Sequence, residues 1–264
     1  MIASLPMYLF QQDAVQRLWG LLRRLLEDLG VAGCPVALTW PQDYHAHWLQ
    51  SELLMSQTCG YPFIDDLAGR VQLIGSLKYD LPACDGVFCR SVLVARTEHA
   101  GLSLEQFRGM RCAFNAPNSQ SGYNAFRALV APLASNGQFF SAAVQTGSHL
   151  RSIAAVRTGQ AEMASIDCVS HAGFARYSPQ ELDGLCVVGQ TAPYPGLPLI
   201  TAAGTAPQHL KALRAAWSSL FESDGATDAC EGLFICGFEP TEATLYQICA
   251  DMRDAAIAAG YPRL

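Results

Sequence analysis

Negative charge is absent from a long central stretch. Between Gln106 and Ala161 there is no Asp or Glu, although Arg108, Arg111, Arg127, Arg151 and Arg157 lie in that window and the whole chain carries a net charge of -6. The chain also has few charges of any kind, 15% of its residues, and no basic excess. General nucleic-acid binding needs a cationic face to release counterions, so that class is excluded. No apolar run reaches the roughly 20 residues of a bilayer-spanning helix, and no low-complexity segment or solenoid-period repeat occurs. The ten cysteines include no C-x-x-C. In a chain of 28.5 kDa they read as small apolar core residues in a reducing cytosol rather than a disulfide framework or zinc site. The opening MIASLPMYLFQQDAV has no early basic residue before an apolar core, so no export signal is read there.

Half of the residues are apolar, enough for two modest cores. IASLPMYL reads as a short strand. Val15, Leu18, Trp19, Leu22, Leu25, Leu26 and Leu29 recur at helical spacing and are closed by Gly30, which gives an amphipathic helix. The apolar runs VALTW, LLMSQT, VQLIGSL and GVFCRSVLVA follow, and then two strand-to-helix units, MRCAFNA into SGYNAFRALV and FSAAVQT into GSHLRSIAAV. Helices and strands alternate, so the class is α/β. The proline-rich APYPGLPLI is too apolar for a solvated tether and reads as a chain crossing. The expected organisation is one discontinuous lobe, residues 1–96 plus 191–264, and a second lobe, 97–190, carrying the acid-free window.

The chemistry concentrates at the two helix starts in that window. A helix start leaves about four N–H groups without partners, and its dipole favours an anion. In PNSQSGY the hydroxyls of Ser119 and Ser121 add donors, and Gly122 lets the backbone approach a ligand closely. TGSHLRS offers Ser148 and His149 after the next strand. In open α/β sheets ligands gather at the carboxyl ends of strands, where two successive turns face one crevice. The missing carboxylates are then explained by a negative charge that arrives as ligand. The rival reading is that each serine caps its own helix.

PNSQSGYNAF, TGSHLRSIAAVRTGQAEMASID and PYPGLPLI, in this order and spacing, resemble the phosphate, phosphite and phosphonate substrate-binding proteins of ABC transporters, most clearly from about Leu53 to Gly204. The resemblance implies a two-lobed type II periplasmic-binding fold with a ligand cleft between the lobes. It also implies a small oxyanion as ligand, held by Ser119, Gln120, Ser121 and His149, and an ABC permease as partner. Tyrosines of the first lobe close over the ligand in that family, which makes Tyr8 and Tyr79 candidates, with the loop at Thr58 and Cys59 beside them. Aminophosphonate binders use two carboxylates for the ligand ammonium. Asp167 matches one, but where the family usually reads P-x-D-P this chain has Pro195-Gly196-Leu197-Pro198, which disfavours a cationic amine.

No cofactor, metal or catalytic residue is expected. Cys59 lies near a glycine turn, as a nucleophile would, but no base is paired with it by spacing. His45 and His47 point about 200° apart on a helix and make no metal pair. Asp167 ends an apolar strand and serves either as a helix cap or as a ligand contact. Without an export signal the expected compartment is the cytoplasm, with the periplasm, usual for the family, as the alternative. Cytosolic enzymes of similar architecture, resembling those of menaquinone and thiamin-pyrimidine synthesis, and a ligand sensor are the competing functions.

Overall fold

The computed structural model describes residues 1–264, apart from the side chain of Leu9. The chain forms two compact units, Met1–Val87 with Pro195–Leu245 and Phe88–Tyr194 with Tyr246–Leu264. The boundaries read from sequence at 97 and 190 therefore fall inside the second unit.

The first unit is built on a five-stranded sheet in the order Ile2–Ala3, Leu53–Gln57, Pro198–Ala202, Val71–Tyr79 and Ile235–Glu239. Only its first pair is parallel. Helix Gln12–Asp28 forms because its apolar residues share one face; Val15, Leu18, Trp19, Leu22 and Leu26 are buried there. Leu29, assigned to that face by spacing, is instead 49% exposed, because the helix has already ended. Gly30 turns the chain with φ at +82°, a conformation open to glycine without a Cβ clash. Helix Pro207–Leu220 packs against the same sheet, with Trp217 fully buried and stacked on Phe238. The run VALTW forms no strand, and its Val36 is 77% exposed. The opening strand is only two residues long and stops before Pro6.

The second unit carries the sheet order Leu185–Gln190, Ser91–Arg96, Met163–Asp167, Arg111–Phe114 and Ala142–Gln145. Its last three strands are mutually parallel, and each is followed by a helical segment, as a parallel sheet requires. Phe107, Phe126, Val130, Phe139, Phe140 and Met163 form the core with Ala256 and Tyr261 from the chain end. Helix Gln247–Ala258, which the sequence reading placed in the first lobe, belongs here. The Asn124 side-chain amide donates to the Cys249 carbonyl at 2.7 Å, and that bond spans 125 residues.

Candidate functional site

The two helix starts singled out by sequence follow neighbouring parallel strands, Arg111–Phe114 and Ala142–Gln145. The turns are tied together directly. Thr146 N–H donates to the Phe114 carbonyl at 2.8 Å and Gly147 N–H to the Asn115 carbonyl at 2.9 Å. Both turns therefore open at the carboxyl edge of one sheet.

The first turn does not enter an ordinary α-helix. Residues Gln120–Asn124 form a π-helical turn that runs into the α-helix Ala125–Val130. Asn124 N–H donates to the Ser119 carbonyl at 2.9 Å, the five-residue spacing of a π-turn. Two serines on adjacent central strands hold the bulge open: Ser91 Oγ and Ser165 Oγ donate to the Ser121 carbonyl at 2.9 and 2.7 Å. Both serines are fully buried. Ser91 Oγ also lies 2.6 Å from the hydroxyl of buried Tyr194. With its carbonyl fixed, Ser121 turns its hydroxyl toward His149, 3.0 Å from Nε2.

His149 is the first residue of the helix His149–Arg157, whose N-cap is Ser148, accepting from Arg151 N–H at 3.2 Å. Burial of the imidazole pushes its pKa down to about 4, so the ring is neutral at pH 7. A neutral ring carries one proton. When the Ser121 hydroxyl donates to Nε2, that proton sits on Nδ1, which is buried and has no partner among the described residues. An orphaned buried donor is costly unless something accepts from it. Asn115 Oδ1 is a second buried polar atom without a partner among the described residues. A Cβ on Gly122 would stand 2.2 Å from Asn115 Oδ1 and 3.1 Å from His149 Cε1, so only glycine fits between them.

Several candidates serve the fold as well. Ser119 Oγ accepts from Gly122 N–H at 3.1 Å and lies 3.5 Å from Ser121 Oγ. The Gln120 side chain turns inward, accepting from Asn124 Nδ2 at 2.8 Å and donating to Met252 Sδ at 3.2 Å. Asp167 Oδ1 accepts from Ser170 N–H at 2.7 Å and caps the helix Cys168–Tyr177. The second unit thus brings Ser119, Ser121, Gly122, Ser148 and His149 together. Ser91, Ser165, Asn115 and Tyr194 support them and carry no signal in sequence, because a lone serine in an apolar strand looks like any other strand residue.

Tyr8, Tyr79, Thr58 and Cys59 lie in the first unit. The rings of Tyr8 and Tyr79 meet edge to face at 5.9 Å. Thr58 follows the Leu53–Gln57 strand; its Oγ1 is buried and has no partner among the described residues. Cys59 precedes the short helix Gly60–Ile64. His47 is buried against Ser4, 2.8 Å from its hydroxyl.

A family profile described as the periplasmic substrate-binding protein of phosphonate ABC transporters matches residues 9–246. Among solved structures, PhnD1 of Prochlorococcus marinus in complex with methylphosphonate superposes with a TM-score of 0.77 at 16% identity, covering 96% of each chain. The binding component of a Pseudomonas aeruginosa phosphonate ABC transporter gives 0.75 at 16% identity, covering 98% of this chain and 87% of its own. A Xanthomonas citri protein bound to ATP gives 0.71 at 15%, covering 98% and 96%. The fold is therefore that of the periplasmic binding proteins. No curated protein matches the chain. The matched family is periplasmic, which overturns the cytoplasmic expectation. That expectation rested on the first fifteen residues alone, and one short segment does not fix a compartment. Among the described residues no helix is long and apolar enough to cross a membrane.

Proposed function

Since the chain belongs to the family of periplasmic substrate-binding proteins of phosphonate ABC transporters, we propose that its second unit holds a phosphonate, phosphate or related ester oxyanion at the Ser119–Gly122 and Ser148–His149 turns. The observation that carries this reading is the Ser121–His149 pair at 3.0 Å, with His149 Nδ1 buried and without a partner among the described residues. An anionic oxygen accepting from Nδ1 satisfies that atom, and no carboxylate of the protein lies near in sequence to compete for the amides. The neutral ring orients the ligand without the desolvation cost of a buried cation.

Binding then releases the ligand unchanged to a permease partner, and no residue acts as acid or base on it. By family resemblance alone, Tyr8, Tyr79, Thr58 and Cys59 of the first unit are further candidate ligand contacts. Leu197 stands where the family usually supplies a carboxylate, so alkyl phosphonates are favoured over aminoalkyl ones.

A thermal-shift series with methylphosphonate, phosphate, phosphite and sulfate tests the ligand class. An anion present at 100 times its Kd adds about 2.7 kcal/mol of stability. Ser121→Asp places a fixed negative charge in the same turn and abolishes the shift. A full shift in that variant refutes the site, and chemical change of the ligand in the same tubes refutes the binding-only role.

A further inference from the structure

Two serine hydroxyls in the core of the second unit are spent on one carbonyl. Ser91 and Ser165 lie on neighbouring antiparallel strands, where Leu93 pairs with Ser165. Side chains alternate along a strand, so Ser91 and Ser165 share a face as diagonal neighbours. Both are fully buried, and both donate to the Ser121 carbonyl. In an α-helix that carbonyl would accept from Ala125 N–H, four residues on; here Ala125 N–H goes to the Gln120 carbonyl instead. The serines thus replace the helical partner and hold the turn one residue out of α-register. Their own protons have fixed directions. A carbonyl only accepts, so Ser91 spends its proton there, and Tyr194, whose hydroxyl lies 2.6 Å from Ser91 Oγ, donates to it. Burial, and then the Asp167 carboxylate, push the Tyr194 hydroxyl well above its ordinary pKa, so it keeps its proton.

On the other side of the turn a second chain of bonds begins at Gly122. Its N–H donates to Ser119 Oγ, which lies 3.5 Å from Ser121 Oγ, and Ser121 Oγ lies 3.0 Å from His149 Nε2. A backbone N–H can only donate. When the order runs outward from it, Ser119 donates to Ser121 and Ser121 to Nε2. The proton of the neutral ring is then on Nδ1, because an imidazole's tautomer follows the bond made by its other nitrogen. We propose that Ser91 and Ser165 are positioning residues for the bound anion: by turning the Ser121 carbonyl they place the Ser121 hydroxyl on Nε2, and so fix His149 as the Nδ1–H tautomer. The role rests on the oxyanion reading given above. Without the two serines the turn returns to α-register. A shift of one residue rotates Ser121 by about 100° about the helix axis, which takes its hydroxyl off the ring. The ring proton then moves to Nε2, and Nδ1 becomes an acceptor that an anionic oxygen cannot use.

The test is nitrogen NMR of the His149 ring in the ligand-free full chain at pH 7, together with calorimetry of methylphosphonate. The wild-type ring is expected to be neutral and protonated on Nδ1. Ser91→Ala and Ser165→Ala each weaken methylphosphonate about fivefold, the size of one lost hydrogen bond. Together they shift the ring to the Nε2–H form and weaken binding more than about 25-fold, because either serine alone still turns the carbonyl. Thr201→Val is the control. It removes a fully buried hydroxyl of the first unit that donates to the Leu53 carbonyl at 3.1 Å, lowers Tm comparably, and leaves the ring and the Kd unchanged. Should the double variant fail to fold, Ser165→Ala alone shows a raised share of the Nε2–H form. A wild-type ring protonated on Nε2, or a serine variant whose ring stays wholly protonated on Nδ1 after both serines are gone, overturns the proposal. So does a Kd loss in Thr201→Val equal to that in the serine variants. If the wild type binds no anion, the oxyanion reading falls, and the ligand-free ring spectra still decide what the two serines do.

Discussion

His149 makes the ligand-free protein sensitive to acid in a way that isolates the site. Burial holds its pKa at about 4, against an ordinary value of 6.5. The folded state therefore binds fewer protons than the unfolded state between those values, and stability falls as pH falls. The contribution is fully present above pH 6.5 and is lost as pH drops to about 4. A difference of that size corresponds to about 3 kcal/mol, since each pKa unit is worth about 1.36 kcal/mol. His47 and His171 are also pushed down by burial and contribute in the same direction, so the measurement must be a difference. Urea denaturation of wild type and His149→Gln at pH 7 and pH 4.2, without ligand, supplies it. The variant keeps a polar group for Ser121 but cannot titrate, and it loses about 3 kcal/mol less than wild type over that interval. Equal losses in the two proteins would mean that the ring is already charged or already solvated, and the assignment of Nδ1 as a neutral buried donor would fall with it.

Gly122→Ala forces a Cβ to within 2.2 Å of Asn115 Oδ1; the overpacking costs about 1–3 kcal/mol and weakens anion binding measured by calorimetry, while Asn115→Ala in the same chain restores part of both. Leu197→Asp raises affinity for an aminoalkyl phosphonate relative to methylphosphonate, and an unchanged ratio in competition titrations shows that the Pro195–Pro198 turn does not meet the ligand's amine.

What was legible in the sequence was whatever depends on local spacing. The helix Gln12–Asp28 announced itself by its apolar stripe, and the two strand-to-helix turns by small polar residues after short apolar runs. The hidden parts depend on partners far away in the chain. Gln120 reads as a ligand donor beside two serines, yet its amide is taken by Asn124 and Met252. Ser91 and Ser165 read as neutral strand positions until the sheet places both under one carbonyl. The terminal helix was assigned to the wrong half for the same reason, because its attachment to Asn124 has no local signature. The π-turn is equally non-local, since its shape follows from the bonds that Ser121 receives from two strands.

The acid-free window suggests a cationic field, but the structure uses most of its arginines elsewhere. Arg111 pairs with Glu162 at 2.6 Å and Arg157 with Glu181 at 3.1 Å; Glu162 lies just beyond the window and Glu181 further on. Arg127 donates to the Pro262 carbonyl and to Asn124, and Arg108 lies over the Phe139 ring. Arg151 alone of the five has an exposed side chain beside the site's turns, its guanidinium next to Gly147. At the proposed site, anion recognition would then rest on short-range donors, which salt barely screens, plus one exposed charge. If that charge lay about 8 Å from a dianion in water it would add roughly 1 kcal/mol, about fivefold in Kd, and added salt screens about half of it. Methylphosphonate affinity should therefore weaken about two- to threefold between about 10 and 300 mM salt in wild type, and hardly at all in Arg151→Ala. A slope that survives in Arg151→Ala would place a longer-ranged field at the site and refute the account of how the arginines are spent.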